Sequence, residues 1–133
     1  MENLNYQKWL ERVKYDMDTA EAMYVTGRYI YAVFMGQQAI EKCFKALMAF
    51  KGMEIVPIHN LRRLAEIIGI IGIIDEMSKE DVKKVDFLSQ YYLNARYKED
   101  IEELSLQITA DVAKEFVSFS KEKVEWLIRK IKQ

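Results

Sequence analysis

Apolar positions recur along most of this chain at spacings of three and four residues, the period that lines up one face of an α-helix. The first run extends from about Leu4 to Val25, where Tyr6, Trp9, Leu10, Val13, Met17, Ala20 and Tyr24 draw a single stripe. Thr26 and Gly27 end it, since glycine readily takes the left-handed conformation that closes a helix. A second run, from about Arg28 to Phe50, carries two stripes. Val33, Ile40, Phe44 and Leu47 are bulky, whereas Ala32, Gly36, Ala39, Cys43 and Ala46 are small. Small side chains let another helix approach closely, so this pattern predicts a helix packed on two sides near the centre of a bundle. Gln37 falls on the bulky stripe, where its amide must find partners or cost about 1–3 kcal/mol.

Gly52 closes the second run and Pro57 marks a loop. A third segment starts near His59-Asn60 and carries Leu61, Leu64, Ala65 and Ile68. It leads into the oily stretch Gly69 to Ile74, read as a buried helix end or turn. The fourth starts at Ser78 with Asp81 three residues on, an imitation of a capping box. Its inner face is predicted as Val82, Val85, Leu88, Tyr92 and Ala95, with Phe87 and Tyr91 as a second aromatic flank. The stretch from Arg96 to Leu106 is charged and ambiguous. The last segment runs from Thr109, a candidate N-cap, to Ile131, with Ala113, Phe116, Val117, Ser120, Val124, Leu127, Ile128 and Ile131 inward. Every long pattern is helical. The expected class is all-α, an up-down bundle of four to five helices in one domain over residues 1–133.

Composition agrees. Half of the 133 residues are hydrophobic and 31% are charged, enough for a core and a solvated surface. A net charge of −1 argues against a molecule basic all over, so any RNA or nucleotide contact has to be local. The single cysteine, Cys43, rules out an intrachain disulfide and a Cys-rich zinc site. Without a signal-peptide pattern or an apolar run of about 18 residues, no membrane span is expected and the reading is cytoplasmic. No cofactor is implied: the chain lacks a Gly-rich phosphate loop and His-Glu-x-x-His, and with one histidine a multi-His metal site within one chain is impossible.

Three groups of residues could carry chemistry. His59 supplies the only imidazole, the side chain that titrates near neutral pH. It sits at a predicted helix start, with Arg62 and Arg63 three and four residues on. Together they make either an anion site or a capped helix start with solvated arginines. Tyr91, Tyr92, Arg96 and Tyr97 could stack a base and hold a phosphate, or could be core tyrosines beside a paired arginine. Glu41 and Lys45, spaced i, i+4, read by default as a surface ion pair.

Taken in order, these pieces resemble the HEPN family (higher eukaryotes and prokaryotes nucleotide-binding). Gln37-Gln38-Ala39-Ile40-Glu41-Lys42-Cys43-Phe44-Lys45-Ala46 is similar to its Gln-Gln-Ala-x-Glu-Lys-x-x-Lys-Ala signature. His59-Asn60-Leu61-Arg62-Arg63-Leu64 is similar to its His-Asp-Leu-x-x-Leu step, and Arg96-Tyr97 to its closing Arg-Tyr. The resemblance implies a helical bundle, usually dimeric. It also implies a role among RNA-cleaving toxins, nucleotide-binding modules, or partners of a minimal nucleotidyltransferase in toxin–antitoxin pairs. Cleaving members carry an arginine followed four to six residues later by histidine. After Arg96 that histidine would fall on Ile101, Glu102 or Glu103, so the usual ribonuclease motif is absent. The expectation is a homodimeric module that binds a nucleotide or RNA or serves a nucleotidyltransferase partner. Its contacts would be His59, Arg62, Arg63, Arg96 and Tyr97, supported by Gln37, Glu41 and Lys45. A metal-independent ribonuclease acting across a dimer, and a purely structural interaction bundle, are the alternatives.

Overall fold

The structure, a computed structural model, describes residues 5–68, 76–97 and 105–131, without the side chains of Asn5 and of residues 92–97. Among the described residues, the helices of eight residues or more are α1 (Asn5–Val25), α2 (Tyr29–Phe50), α3 (Leu61–Ile68), α4 (Lys79–Tyr97) and α5 (Ala110–Ile131). Among the described residues there is no strand.

α1 and α2 form an antiparallel hairpin. Tyr6 meets Phe50 edge-on at one end (5.3 Å), Lys42 pairs with the buried Asp16 midway, and Tyr24 lies against Tyr29 at the other end (5.7 Å). The turn between them is a Schellman closure. Arg28 N–H donates to Met23 O and Gly27 N–H to Tyr24 O, with Gly27 at φ +80°. α2 ends the same way: Met53 N–H donates to Met48 O, Gly52 N–H to Ala49 O, and Gly52 is at φ +71°. α5 then packs along α2 on the stripe of small residues, which is wholly buried. A Cβ on Gly36 would stand 2.6 Å from Ser120 Oγ, so the two helices meet where glycine leaves room.

α4 runs antiparallel to α5, fixed by Lys123–Asp81 (2.6 Å), Lys84–Glu115 (3.3 Å) and the stacked Phe87 and Phe116 rings (4.6 Å). Its start and that of α5 are capped as expected: Ser78 Oγ accepts from Asp81 N–H and Thr109 Oγ1 from Val112 N–H. The inner face differs from expectation. Tyr91 is buried with Val85 and Leu88, and its hydroxyl donates to Ile30 O (2.6 Å). Burial pushes that phenol above its ordinary pKa. Of the aromatic flank, Tyr91 is therefore part of the core, because it has a carbonyl at the start of α2 to satisfy its hydroxyl, whereas Phe87 is exposed. Tyr92, predicted as the inward tyrosine, has its side chain outside the described residues, and the oily stretch Gly69 to Ile74 lies outside them too. α3 is short and bridges α2 and α4. Its Leu61, Leu64, Ala65 and Ile68 join the same core as α2 and α5.

Candidate functional site

The helix-two signature residues face α3. Every third or fourth position from Gln37 through Glu41 to Lys45 returns to one side of α2, and the chain brings His59 back onto that side just before α3. Glu41 is the hub. Its Oε2 accepts from Lys45 Nζ (3.1 Å) and from His59 Nδ1 (2.9 Å), and its Oε1 from Gln37 Nε2 (3.4 Å). Gln37 is fully buried. Its Nε2 also reaches His59 O (3.4 Å), and its Oε1 accepts from Gln38 Nε2 (2.7 Å). The partners that a buried amide requires are thus found within the cluster.

Glu41 and Lys45 do not form a surface pair. Their side chains are only 4% and 9% exposed. The apolar faces of α2 leave no solvent-facing position there, because the helix is covered on both sides. Desolvating two ions costs several kcal/mol each, and the pair persists because charge-assisted hydrogen bonds fill the carboxylate's lone pairs. His59 is the open edge of the cluster, with 45% of its side chain exposed. An ionised carboxylate only accepts, so Nδ1 carries the hydrogen, and in the neutral ring Nε2 is the acceptor nitrogen. A buried carboxylate that fixes the tautomer and angle of a half-exposed imidazole suits that imidazole to hydrogen bonding or proton transfer with a polar ligand.

The start of α3 is not an open anion site. Leu61 N–H donates to Ser89 Oγ (3.0 Å) and Arg63 N–H to Asn60 Oδ1 (2.9 Å). The backbone donors that would bind an anion are largely taken by caps. Nor do the two arginines converge with His59: Arg62 pairs with Asp86 of α4 (3.1 Å) and Arg63 with Glu66 (3.3 Å), all well exposed. Arg96 and Tyr97 end α4, and their side chains lie outside the described residues. Five residues before Arg96, Tyr91 is level with Ile30, whereas His59 is level with Glu41. Those two levels are about 16 Å apart along α2.

Ser89 and the Asp16–Lys42 pair escaped the sequence reading. The signal was present in both: a small polar residue on the inner face of α4, and an acid beside Met17 on the inner stripe of α1. Cys43 is buried, and burial pushes its thiol up to about 12, so it is no nucleophile. Among the described residues no group of three or more His, Cys, Asp or Glu side chains could hold a metal ion, and no helix is long and apolar enough to cross a membrane.

A family model described as the HEPN domain matches residues 6–131. The chain belongs to the HEPN domain family. Two solved structures superpose on this HEPN domain over nearly their whole length. TT1696 from Thermus thermophilus is 22% identical with a TM-score of 0.77, covering 96% of this chain and 98% of that one. ST0689, an archaeal HEPN homologue, is 21% identical with a TM-score of 0.70, covering 95% and 97%. At these identities the likeness speaks for the HEPN fold alone. No curated protein matches the chain.

Proposed function

We propose that this HEPN domain is a binding module for a nucleotide or RNA, working as a homodimer and serving a nucleotidyltransferase partner in a toxin–antitoxin type pair. The observation that supports it is the cluster on α2. A buried carboxylate with three donors around it is costly to maintain, and what it holds at the surface is the chain's one histidine. That cost is understandable if the imidazole meets a phosphate or ribose hydroxyl. In this reading His59 is the contact, and Gln37, Glu41 and Lys45 are the residues that position it. Arg62 and Arg63 are secondary, since each already has an acid beside it; Arg96 and Tyr97 remain proposed contacts.

Titrating the purified protein with ATP, GTP and single-stranded RNA while following its melting temperature tests the module. A ligand at about 100 times its Kd stabilises the fold by ~2.7 kcal/mol, and His59→Ala should abolish the shift. No shift with any of the three ligands would leave a structural interaction bundle. RNA cleavage lost on His59→Ala would instead favour the ribonuclease.

A further inference from the structure

At the start of α2, far along the helix from His59, a hollow of about 250 Å³ is lined by Arg28, Tyr29, Tyr31, Ser105 and Ile108. We propose that this hollow is a nucleobase-stacking subsite, in which Tyr31 and Tyr29 hold the base and Arg28 the attached phosphate. The proposal rests on the nucleotide-or-RNA reading above and says where the base sits.

Size sets the class of ligand. Sites for whole drug-sized molecules begin at ~300 Å³, so this hollow takes one ring system rather than an entire cofactor. Two of the side chains that line it, Arg28 and Tyr31, are exposed. Tyr31 is 49% exposed, although most apolar residues of α2 are buried. Among the described residues no carboxylate pairs with Arg28, whereas Arg62 and Arg63 each have one. An exposed tyrosine beside an arginine without such a partner is the pairing that stacks a base and neutralises its phosphate.

The walls are also held in place. Tyr29 is braced by Tyr24 at 5.7 Å with the rings tilted by 51°. The Tyr91 hydroxyl ties Ile30 O to α4. Binding then needs little reorganisation. The hollow and the His59 cluster lie on neighbouring faces of α2: Lys45 is about 40° and Glu41 about 80° round the helix from Tyr31. Tyr31 and Glu41 are separated by about 15 Å along the axis, a span suited to a strand of a few linked nucleotides passing both.

Fluorescence anisotropy with a labelled oligo(rA) of about twelve nucleotides, within the ~4–16 of single-strand sites, tests this on the full chain. Tyr31→Ala and Arg28→Ala should each weaken binding about tenfold, and Arg28→Ala should also flatten the salt dependence. Tyr31→Phe should bind within about twofold of wild type, since stacking and not the hydroxyl is at work. Both positions are exposed, so circular dichroism and melting should be unchanged. If Tyr31→Ala and Arg28→Ala bind like wild type while His59→Ala does not, the subsite is refuted and the His59 reading stands. The reverse pattern keeps the subsite and removes His59. Wild type failing to bind oligo(rA) overturns both.

Discussion

Glu41 is the residue on which most other side chains of the site depend. Removing its charge strands Lys45 in a nearly dry position, so Glu41→Gln should cost about 3 kcal/mol and lower the Tm by roughly 10 °C. Replacing both members, Glu41→Gln with Lys45→Met, should recover most of that loss, because a buried pair exchanged for uncharged groups is often neutral. Thermal melts of the two single variants and the double variant measure the coupling; purely additive losses would mean that the pair does not act as a unit. Gln37, Glu41 and Lys45 were all legible in the sequence as a signature, and the apolar stripe foretold the burial of Gln37, but the burial of Glu41 and Lys45 was not legible. An i, i+4 Glu–Lys pair looks the same whether it faces water or a neighbouring helix, and only the return of the chain at His59 closes it off. Cys43 gives a second test at this scale. Its thiol is raised from an ordinary 9.0 to about 12. Below pH 9 both folded and unfolded chains hold the proton and nothing is lost. Above it the unfolded chain ionises first, so stability falls as pH rises toward 12. At pH 8 the native protein should leave a thiol reagent unreacted, with one equivalent consumed on unfolding.

At the level of elements, periodicity carried far. The two-stripe pattern of the second segment predicted a helix at the centre of the bundle, and α2 is the helix that α1, α3, α4 and α5 all touch. Caps at Ser78 and Thr109 and the closing glycines 27 and 52 were readable because each has a local cause. What was not readable is the rotation of α4, where Tyr91 and not Tyr92 was expected outside the inner face. Adjacent tyrosines differ by only 100° on a helix, and it is a distant carbonyl, Ile30 O, that gives the buried Tyr91 hydroxyl its partner. The α2–α5 contact is a prediction of its own. Gly36→Ala should destabilise by ~1–3 kcal/mol by pushing on Ser120. Ser120 Oγ is buried without a hydrogen-bond partner, so Ser120→Ala should be neutral or stabilising and should soften the effect of Gly36→Ala. Denaturant midpoints for the three variants and the wild type decide it.

For the whole molecule, the large apolar residues of the first two helices are where a face for a second subunit would be sought. The bundle covers most of them itself, leaving Tyr15 at 73%, together with Val25, Tyr31 and Phe50, as the exposed large side chains of α1 and α2. The homodimer therefore stands as a proposal on family grounds, and sedimentation at micromolar concentration should find twice the 15.7 kDa chain mass; a monomer would remove it. The account as a whole depends on Glu41 presenting His59 to a phosphate-bearing ligand. One histidine means one pair of imidazole nitrogen resonances, so a proton–nitrogen NMR spectrum of the ring reads that arrangement directly. The neutral ring should carry its hydrogen on Nδ1, lose that preference in Glu41→Gln, and shift its Nε2 resonance when RNA is added. A hydrogen on Nε2, or resonances unmoved by RNA at concentrations where it binds, would contradict the account.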